Sequence, residues 1–436
     1  MDHPASADSP RAGFLAWWRR TPLYKRIIGG LVLGVIAGVV LGGDAAPLAI
    51  PSKLLLQLLG ALAPALILAA ITHALMTAQF EKGTAGRLIR LLVLNTLVAI
   101  VIGLFVANVL RPGHWSDNPP SPPATDLHAI EGKPGMLAQF LENIPRSVLG
   151  PLTDNGKVIG VIFLAIGFGM AFRKMGHRPV SKFSDLVGIA FEALIILLHW
   201  IIDFIPLAVF GIVASIVGTQ GFGAFKSLGA FVIAVLAGLS LQACYYLLRI
   251  RFGSWVRPGV LLRKTSDALV MAFSTDSSTA TMPLTYECLR QRVGLREKSA
   301  SLGALVGSNF NNDGTALYEA MSALFVSQLL AHQGLGTALT LGQQLTIVLT
   351  SVVASVGAAG IPEAGLVTMT LVFNAVGLPT AYIAMLLPID WFLDRSRTVI
   401  NVMGDMNVAC LLDGKTREVP AAEIENVDCG EGVSAG

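Results

Sequence analysis

The stretch LLPIDWFLDRSRTVINVMGD, residues 386–405, decides how this chain is read. It opens apolar and then places Asp390, Asp394, Arg395, Arg397 and Asp405 within twenty residues. On a helix, Asp394, Arg397, Thr398, Asn401 and Asp405 fall at i, i+3, i+4, i+7 and i+11, which is one continuous face, while Arg395 points elsewhere. A charge at the centre of a bilayer costs roughly 2.5–3.5 kcal/mol on the insertion scale. Three charges on one face therefore need partners or a water-filled cavity. Ion pairing alone would not require Thr398 and Asn401 on that face; a site for a polar ligand uses all five.

The bilayer enters through composition. The 436 residues are 53% hydrophobic and 14% charged, against about 25% charged in soluble domains. Runs such as RIIGGLVLGVIAGVVLGG (26–43) and LLVLNTLVAIVIGLFVANVL (91–110) approach the roughly 20 residues that span a bilayer as helix. The chain reads as an all-α, multi-pass membrane protein. A net charge of +3, with its basic residues in loops, gives no sign of nucleic acid as a partner. Cys244, Cys288, Cys410 and Cys429 form no CxxC pair and have no metal-site spacing, so they read as inert thiols. The first apolar run follows Arg19, Arg20, Lys25 and Arg26 without a small-residue cleavage site, and is expected to be the first span rather than a leader.

Spans are expected at about 25–43, 54–77 and 89–110, then, after the Pro-rich loop RPGHWSDNPPSPPATD, a span ending near Phe172, one long apolar stretch over 183–217, and another span over 224–249. From 258 onward the apolar segments are broken by Ser, Thr, Gly and Asn. Clusters of Lys and Arg at 11–26, 82–90, 173–182, 249–264, 290–298 and 415–417 put both termini in the cytoplasm by the positive-inside rule. Basic flanks on both sides of 258–292 make that segment a re-entrant hairpin entering from the cytoplasm; 340–376 lacks them and reads as a hairpin entering from outside. Eight spans with two opposed hairpins, each followed by a polar helix, form an inverted repeat typical of secondary transporters. Residues 413–436 read as a polar cytoplasmic tail.

Two further elements carry chemistry. In GSNFNNDGTALYEA (307–320), Asn311, Asp313, Gly314 and Thr315 interrupt an apolar helix. Unwound backbone is tolerated at membrane depth where it lines a cavity, and freed carbonyls beside a carboxylate make a shell for a hard cation. The hairpin tips SSTATMP (277–283) and SVGAAGIP (355–362) combine small or hydroxyl side chains with Pro, so backbone can approach a ligand and half-helix N-termini can meet an anion. An intramembrane hydrolase would need a base beside Ser277 or Ser278, and His73 and His199 lie in distant segments. The chain is therefore not expected to be an enzyme.

These motifs resemble the dicarboxylate/amino acid:cation symporter family, which includes glutamate and aspartate transporters. Its members carry a Ser-rich first tip, an N-x-D-G-T helix break, an S-x-G-x-A-G-x-P second tip and D-x-x-R-T-x-x-N-x-x-G-D on the last helix. The resemblance implies a homotrimer in the cell membrane, in which a transport domain moves like an elevator against a scaffold. The scaffold would comprise 25–88 and 111–223, and the transport domain 89–110 and 224–412. It implies that Arg397 takes the substrate side-chain carboxylate, Asp394 and Thr398 the amino group, and Asn401 with the backbone at Ser278 the α-carboxylate. Asp276, Ser277, Thr315, Ile361 and Gly365 would complete the pocket. Cotransported sodium is implied at three places: Asp405 with carbonyls of Gly307, Asn311 and Asn401; carbonyls of Asn309, Ser355, Val356 and Ala358; and Asn95, Thr96 and Asp313. No organic cofactor is implied.

The sequence departs from the family at several positions. Asn312 stands where Met or Leu is usual, Asp276 where archaeal members place Arg, Glu363 where Gly or Gln is common, and Asn95 where Thr is common. Arg395 supplies the missing Arg from the last helix, so Asp276 and Arg395 are expected to be neighbours.

A fixed guanidinium selects a carboxylate through its planar fork. Asp394 then favours an α-amino acid over a plain dicarboxylate, so an acidic amino acid is the expected substrate and a C4-dicarboxylate, or proton-only glutamate symport, the alternative. Glu319, six residues after Asp313 among Ala, Leu and Met, lies where apolar surroundings favour a neutral carboxyl. It is the candidate proton carrier, against a Glu that stays in one state bonded to Tyr318 or a scaffold residue.

Overall fold

The computed structural model describes residues 21–77, 84–115, 147–153, 158–175, 180–357 and 364–417. Every regular element among them is helical. Helix satisfies its backbone groups internally, which a chain in hydrocarbon requires. α1 covers Leu23–Leu41, α2 Ile50–Thr77, α3 Thr84–Leu110, α4 Val158–Lys174, α5 Val180–Ile202, α6 Ile205–Gln220 and α7 Ala224–Gly253. Next come α8 (Ser266–Thr275), α9 (Ser278–Glu287), α10 (Gly307–Phe310), α11 (Asp313–His332), α12 (Leu341–Gly357), α13 (Ala364–Val376) and α14 (Leu387–Asp413).

Four helical segments among the described residues are long and apolar enough to cross a membrane: Leu23–His73, Gly86–His114, Phe183–Gln220 and Phe225–Gly253. The first has 51 residues. At about 1.5 Å per residue it is more than twice as long as a bilayer core is thick, and the 3₁₀ turn Gly42–Ala49 divides it into α1 and α2. The long apolar stretch after 183 is also divided: α5 ends at Ile202, and α6 restarts at Ile205 with Pro206 in its first turn. Proline is tolerated there because the first-turn N–H has no intrahelical partner.

The helices pack in two sets. α1, α2, α4, α5 and α6 pack among themselves. Gly30, Gly34 and Gly38 of α1 face α6 so closely that a Cβ at Gly34 would lie 2.6 Å from the Phe210 carbonyl, a small-residue helix contact. α3, α7, α11 and α14 form the second set with both hairpins, and α2 touches the hairpin arms α12 and α13. Large apolar side chains such as Val40, Phe105, Ile189, Trp200 and Phe252 are exposed, as lipid-facing surfaces require.

α11 is buried on all sides from Asp313 to Leu330. α14, which carries the opening stretch, packs against α7, α8 and α11. Its C-terminal end is pinned. Asp413 accepts hydrogen bonds from Trp255 Nε1 (2.7 Å) and from Arg296 N and Nε (3.1 and 3.0 Å), and Arg87 Nη2 donates to the Leu411 carbonyl at 2.5 Å. Cys288 and Cys410 are buried free thiols and Cys244 an exposed one; Cys429 and most of the tail lie outside the described residues.

Candidate functional site

Hairpin 1 is α8 turning into α9 at Asp276–Ser277. Asp276 adopts the left-handed conformation (φ 58°, ψ 29°), and Ser277 caps α9, its Oγ accepting from Ala280 N at 3.1 Å. The turn directs Asp276 at the last helix: Thr398 Oγ1 donates to its Oδ1 at 3.2 Å, and Arg395 Nη1 lies 3.5 Å from its Oδ2. Hairpin 2 consists of α12 and α13 packed on each other. The residues between them, 358–363, lie outside the described residues, and with them the expected site residues Ala358 and Ile361 and the departure Glu363.

The helix break falls at Asn311 and Asn312, which lie between α10 and α11 with non-helical backbone angles. This corrects the expectation that Gly314 weakens the helix there. Gly314 is helical, and its value is closeness: a Cβ would sit 2.6 Å from the Arg397 carbonyl and 3.1 Å from Asn401 Oδ1. Its N–H donates to Asn401 Oδ1 at 2.8 Å. Gly404 of α14 serves the same purpose, since a Cβ there would clash with Asn311 Nδ2 at 2.1 Å. The two polar helices thus meet through glycines.

The face expected on the last helix is buried as a unit: Asp394, Arg397, Thr398, Asn401 and Asp405 all face inward. Arg397 is fully buried. Its guanidinium pairs with Asp394 through Nε (3.1 Å) and Nη2, and with Asp390, whose Oδ1 lies 3.1 Å from Nη1. It also lies over the Tyr318 ring at 4.0 Å. Nη1 itself makes no aligned hydrogen bond among the described residues. Gly365 flanks it, since a Cβ there would lie 3.3 Å from Nη1. So Arg397, Asp394 and Gly365 come together, and ion pairs share this face with the polar side chains of Thr398 and Asn401.

Two residues of this cluster were missed. Asp390 stood in the opening stretch, and its spacing of i−4 from Asp394 and i−7 from Arg397 was the available signal. Tyr318 was considered only as a partner for Glu319. Its ring packs against the guanidinium, where the ring face attracts a cation.

Around the break, Asn401 Nδ2 lies 3.4 Å from both Asn312 Oδ1 and Thr315 Oγ1. Asn311 Nδ2 donates to Asp405 Oδ1 and to the Asn401 carbonyl, both at 3.2 Å, and a Cβ at Gly307 would lie 2.5 Å from Asp405 Oδ1. Gly307, Asn311, Asn401 and Asp405 are therefore one cluster. Asn309 turns its side chain back to the Leu305 carbonyl (3.1 Å). The Ser355 carbonyl accepts from Asn312 Nδ2 at 2.9 Å; of Val356 the structure describes the backbone alone. Ser278 is buried, its hydroxyl donating to the Ser308 carbonyl at 3.3 Å.

Thr96 and Asp313 meet as expected, Thr96 Oγ1 donating to Asp313 Oδ1 at 2.6 Å, while Tyr246 donates to Asp313 Oδ2. Asn95 is engaged elsewhere: its Oδ1 accepts from Arg249, and its Nδ2 lies 3.5 Å from Asn407 Oδ1. Tyr246, Arg249 and Asn407 were not anticipated. Tyr246 stands in an apolar helix with no periodic signal, Arg249 was read with the basic cluster that sets orientation, and Asn407 follows the motif on the last helix. Glu319 is fully buried, and its Oε1 accepts a hydrogen bond from Thr368 of α13. Its Oε2 has no hydrogen-bond partner among the described residues. The neighbour that Glu319 bonds is thus on hairpin 2, and is neither Tyr318 nor a residue of the expected scaffold.

Residues 23–415 match the model of the sodium:dicarboxylate symporter family. The chain is similar to excitatory amino acid transporter 4 of Rattus norvegicus, 35% identical over 326 residues that make up 71% of this chain and 55% of that protein. It is 35% identical over 305 residues to excitatory amino acid transporter 1 of Homo sapiens (68% of this chain, 53% of that protein) and 33% over 296 residues to excitatory amino acid transporter 3 of Oryctolagus cuniculus (66% and 53%). The chain spans about half the length of these curated relatives. With a buried, charged face on α14 and a family match that runs from α1 past the end of α14, the chain belongs to the sodium:dicarboxylate symporter family.

Proposed function

We propose that this chain is a secondary symporter that takes up an acidic amino acid, L-aspartate or L-glutamate, together with sodium. The observation that carries the substrate is the buried Arg397–Asp394 pair, with Arg397 Nη1 beside it held by Asp390 in an ion pair that is not an aligned hydrogen bond. An acidic amino acid brings both a carboxylate and an ammonium. Inserted between the two residues, it exchanges one internal ion pair for two, and neither buried charge is left alone. A plain dicarboxylate occupies Arg397 and leaves Asp394 facing negative charge, which is costly away from water. The curated relatives are named as amino acid transporters and the family as sodium:dicarboxylate symporters, which supports both halves of the proposal.

In this mechanism the hairpin 1 tip and α13 close on the ligand. Asp276, Ser277, Ser278, Thr315, Gly365, Thr398 and Asn401 line it. Asp405 with Gly307, Asn311 and Asn401 forms one cation site, and Asp313 with Thr96 another. Glu319, bonded to Thr368 across from the arginine helix, carries a proton with the substrate. The second helix set, with both hairpins, moves against the first inside a homotrimer, with both termini in the cytoplasm.

The test is an uptake screen in proteoliposomes, crossing imposed sodium and proton gradients with aspartate, glutamate, succinate, serine and alanine. Sodium-driven concentration of aspartate or glutamate is the expected result. Concentration of succinate in preference to both would overturn the substrate, and uptake that runs fully on protons in sodium-free buffer would overturn the coupling ion.

A further inference from the structure

The turn that ends α3 is docked on α11. Arg111 enters it in the left-handed conformation (φ 44°, ψ 57°), and the 3₁₀ turn Pro112–His114 follows. Gln328 of α11 holds this turn and the end of α3 together: its Oε1 accepts from Gly113 N at 3.1 Å, and its Nε2 donates to the Ala107 carbonyl at 2.9 Å. The approach is close, since a Cβ at Gly113 would lie 2.5 Å from Gln328 Cβ. Pro112, Gly113 and Gln328 are buried, so packing fixes the backbone here.

His114 follows Gly113 directly, and His332 follows Gln328 by four residues, on the same face of α11. Pinning Gly113 to Gln328 therefore brings two imidazoles together, with ring centres 5.3 Å apart and planes at 78°. Both side chains are exposed, so each ring can turn a nitrogen toward a common ion while its backbone stays in place. Two imidazoles that share one tetrahedral zinc ion, each nitrogen roughly 2.0–2.1 Å from the metal, keep their ring centres about 5 Å apart. The observed spacing meets that requirement, and water can fill the remaining positions. His332 lies in the last turn of α11, where the helix dipole adds partial negative charge and favours a cation. Arg111 brings like charge to this end; its Nε turns to the Asn108 carbonyl at 3.4 Å, and solvent screens what remains.

We propose that His114 and His332 form a two-histidine site for a divalent transition-metal ion, which clamps the end of α3 to the end of α11. Imidazole suits zinc and its neighbours in the first row, whereas magnesium and calcium take oxygen ligands. Neither histidine belongs to the substrate and sodium clusters, so the site stands apart from the symport reading.

Zinc is the probe, added to the purified full-length protein. The chain has seven histidines, so the reading must resolve the site. Carbethoxylation of wild type by diethylpyrocarbonate, mapped by mass spectrometry, does so without a variant. Zinc should protect His114 and His332 together, and magnesium at the same concentration should protect neither. Protection of only one of them, of neither, or equally by magnesium would overturn the site. Calorimetric titration of His114→Gln and His332→Gln follows. Each should weaken the same class of zinc binding about tenfold or more, and each should lose the rise in unfolding temperature that zinc gives wild type. His332→Cys, which restores a zinc ligand, should recover binding that His332→Gln lacks. Wild-type affinity in both glutamine variants, or a cysteine variant no better than glutamine, would count as refutation.

Discussion

Asp276 Oδ2 lies 3.5 Å from Arg395 Nη1, so the tip of hairpin 1 is joined to the last helix by opposite charges on elements 119 residues apart. Both side chains are largely buried, and Arg395 Nη1 also donates to the Trp391 carbonyl at 2.8 Å. Charges in contact couple by about 0.5–3 kcal/mol in double-mutant cycles. Asp276→Arg and Arg395→Asp each place like charges together and should each reduce uptake strongly. The double exchange should recover roughly 2- to 100-fold over the product of the single effects. Initial uptake rates in proteoliposomes measure this, and a strictly multiplicative double mutant would mean that the two residues do not interact in the working protein.

Arg397→Cys removes the buried guanidinium whose Nη1 lies beside Gly365. A substrate carboxylate buried there without a partner loses about 3–5 kcal/mol, or roughly 100- to 4,000-fold in affinity. Aspartate transport should disappear, and a small neutral amino acid should become a substrate. Thermal stabilisation of the purified variant by serine or alanine checks folding and binding together. Unchanged apparent affinity for aspartate would remove Arg397 from substrate recognition.

Much of this site was legible in the sequence because polar groups in hydrocarbon are expensive enough to need a reason. The inward face of α14, the break before Asp313 and the first hairpin turn at Asp276–Ser277 all showed as polar atoms at helical spacing or at turn residues inside apolar runs. What failed to show were contacts made across the sequence by single side chains. Tyr246 reaches Asp313, Arg249 reaches Asn95 and Thr368 reaches Glu319 from other helices, and one tyrosine or threonine in an apolar helix has no period. Gly314 was visible but misread, since a sequence does not tell a glycine that breaks a helix from one that lets another backbone approach. The division of the long apolar stretch at Asp203–Phe204 had its sign in Pro206, which hydropathy alone overrode.

Asp390 and Asp394 flank the same guanidinium and should behave differently. Asp394→Asn keeps the shape but withdraws the charge assigned to the substrate amino group. Aspartate affinity should fall about tenfold or more, while succinate binding should hold or improve. Asp390 pairs with Arg397 beside the ligand face, so Asp390→Asn should cost about 1–3 kcal/mol of stability with the aspartate-to-succinate ratio unchanged. Competition of both ligands against labelled aspartate, with thermal unfolding in parallel, separates the two. Equal loss of selectivity in both variants would mean that both carboxylates face the substrate.

Asp405 gathers Asn311 and Gly307 around one carboxylate, the oxygen-rich setting a hard cation favours. Asp405→Asn should raise the sodium concentration for half-maximal substrate binding about tenfold or more before it disturbs folding. Isothermal binding of aspartate over a sodium series reads this directly. A sodium curve that superimposes on wild type would exclude Asp405 from the coupling site.

Glu319 accepts a hydrogen bond from Thr368 on the second arm of hairpin 2, and its other oxygen is buried with no hydrogen-bond partner among the described residues. The contact with Thr368 ties the Glu319 carboxyl to an element expected to move during transport. If Glu319 takes up a proton outside and releases it inside, wild-type uptake acidifies the vesicle lumen in step with substrate entry. Glu319→Gln keeps a group able to bond Thr368 and cannot release a proton. Its transport should continue without that acidification and should lose its dependence on the proton gradient. Thr368→Val removes the contact while leaving the carboxyl, so it should keep acidification but slow turnover, because the arm loses the bond that reports on the carboxyl. A pH-sensitive dye inside the vesicles, read against labelled aspartate, gives both quantities at once. Equal acidification in wild type and Glu319→Gln would mean that the proton travels by another group.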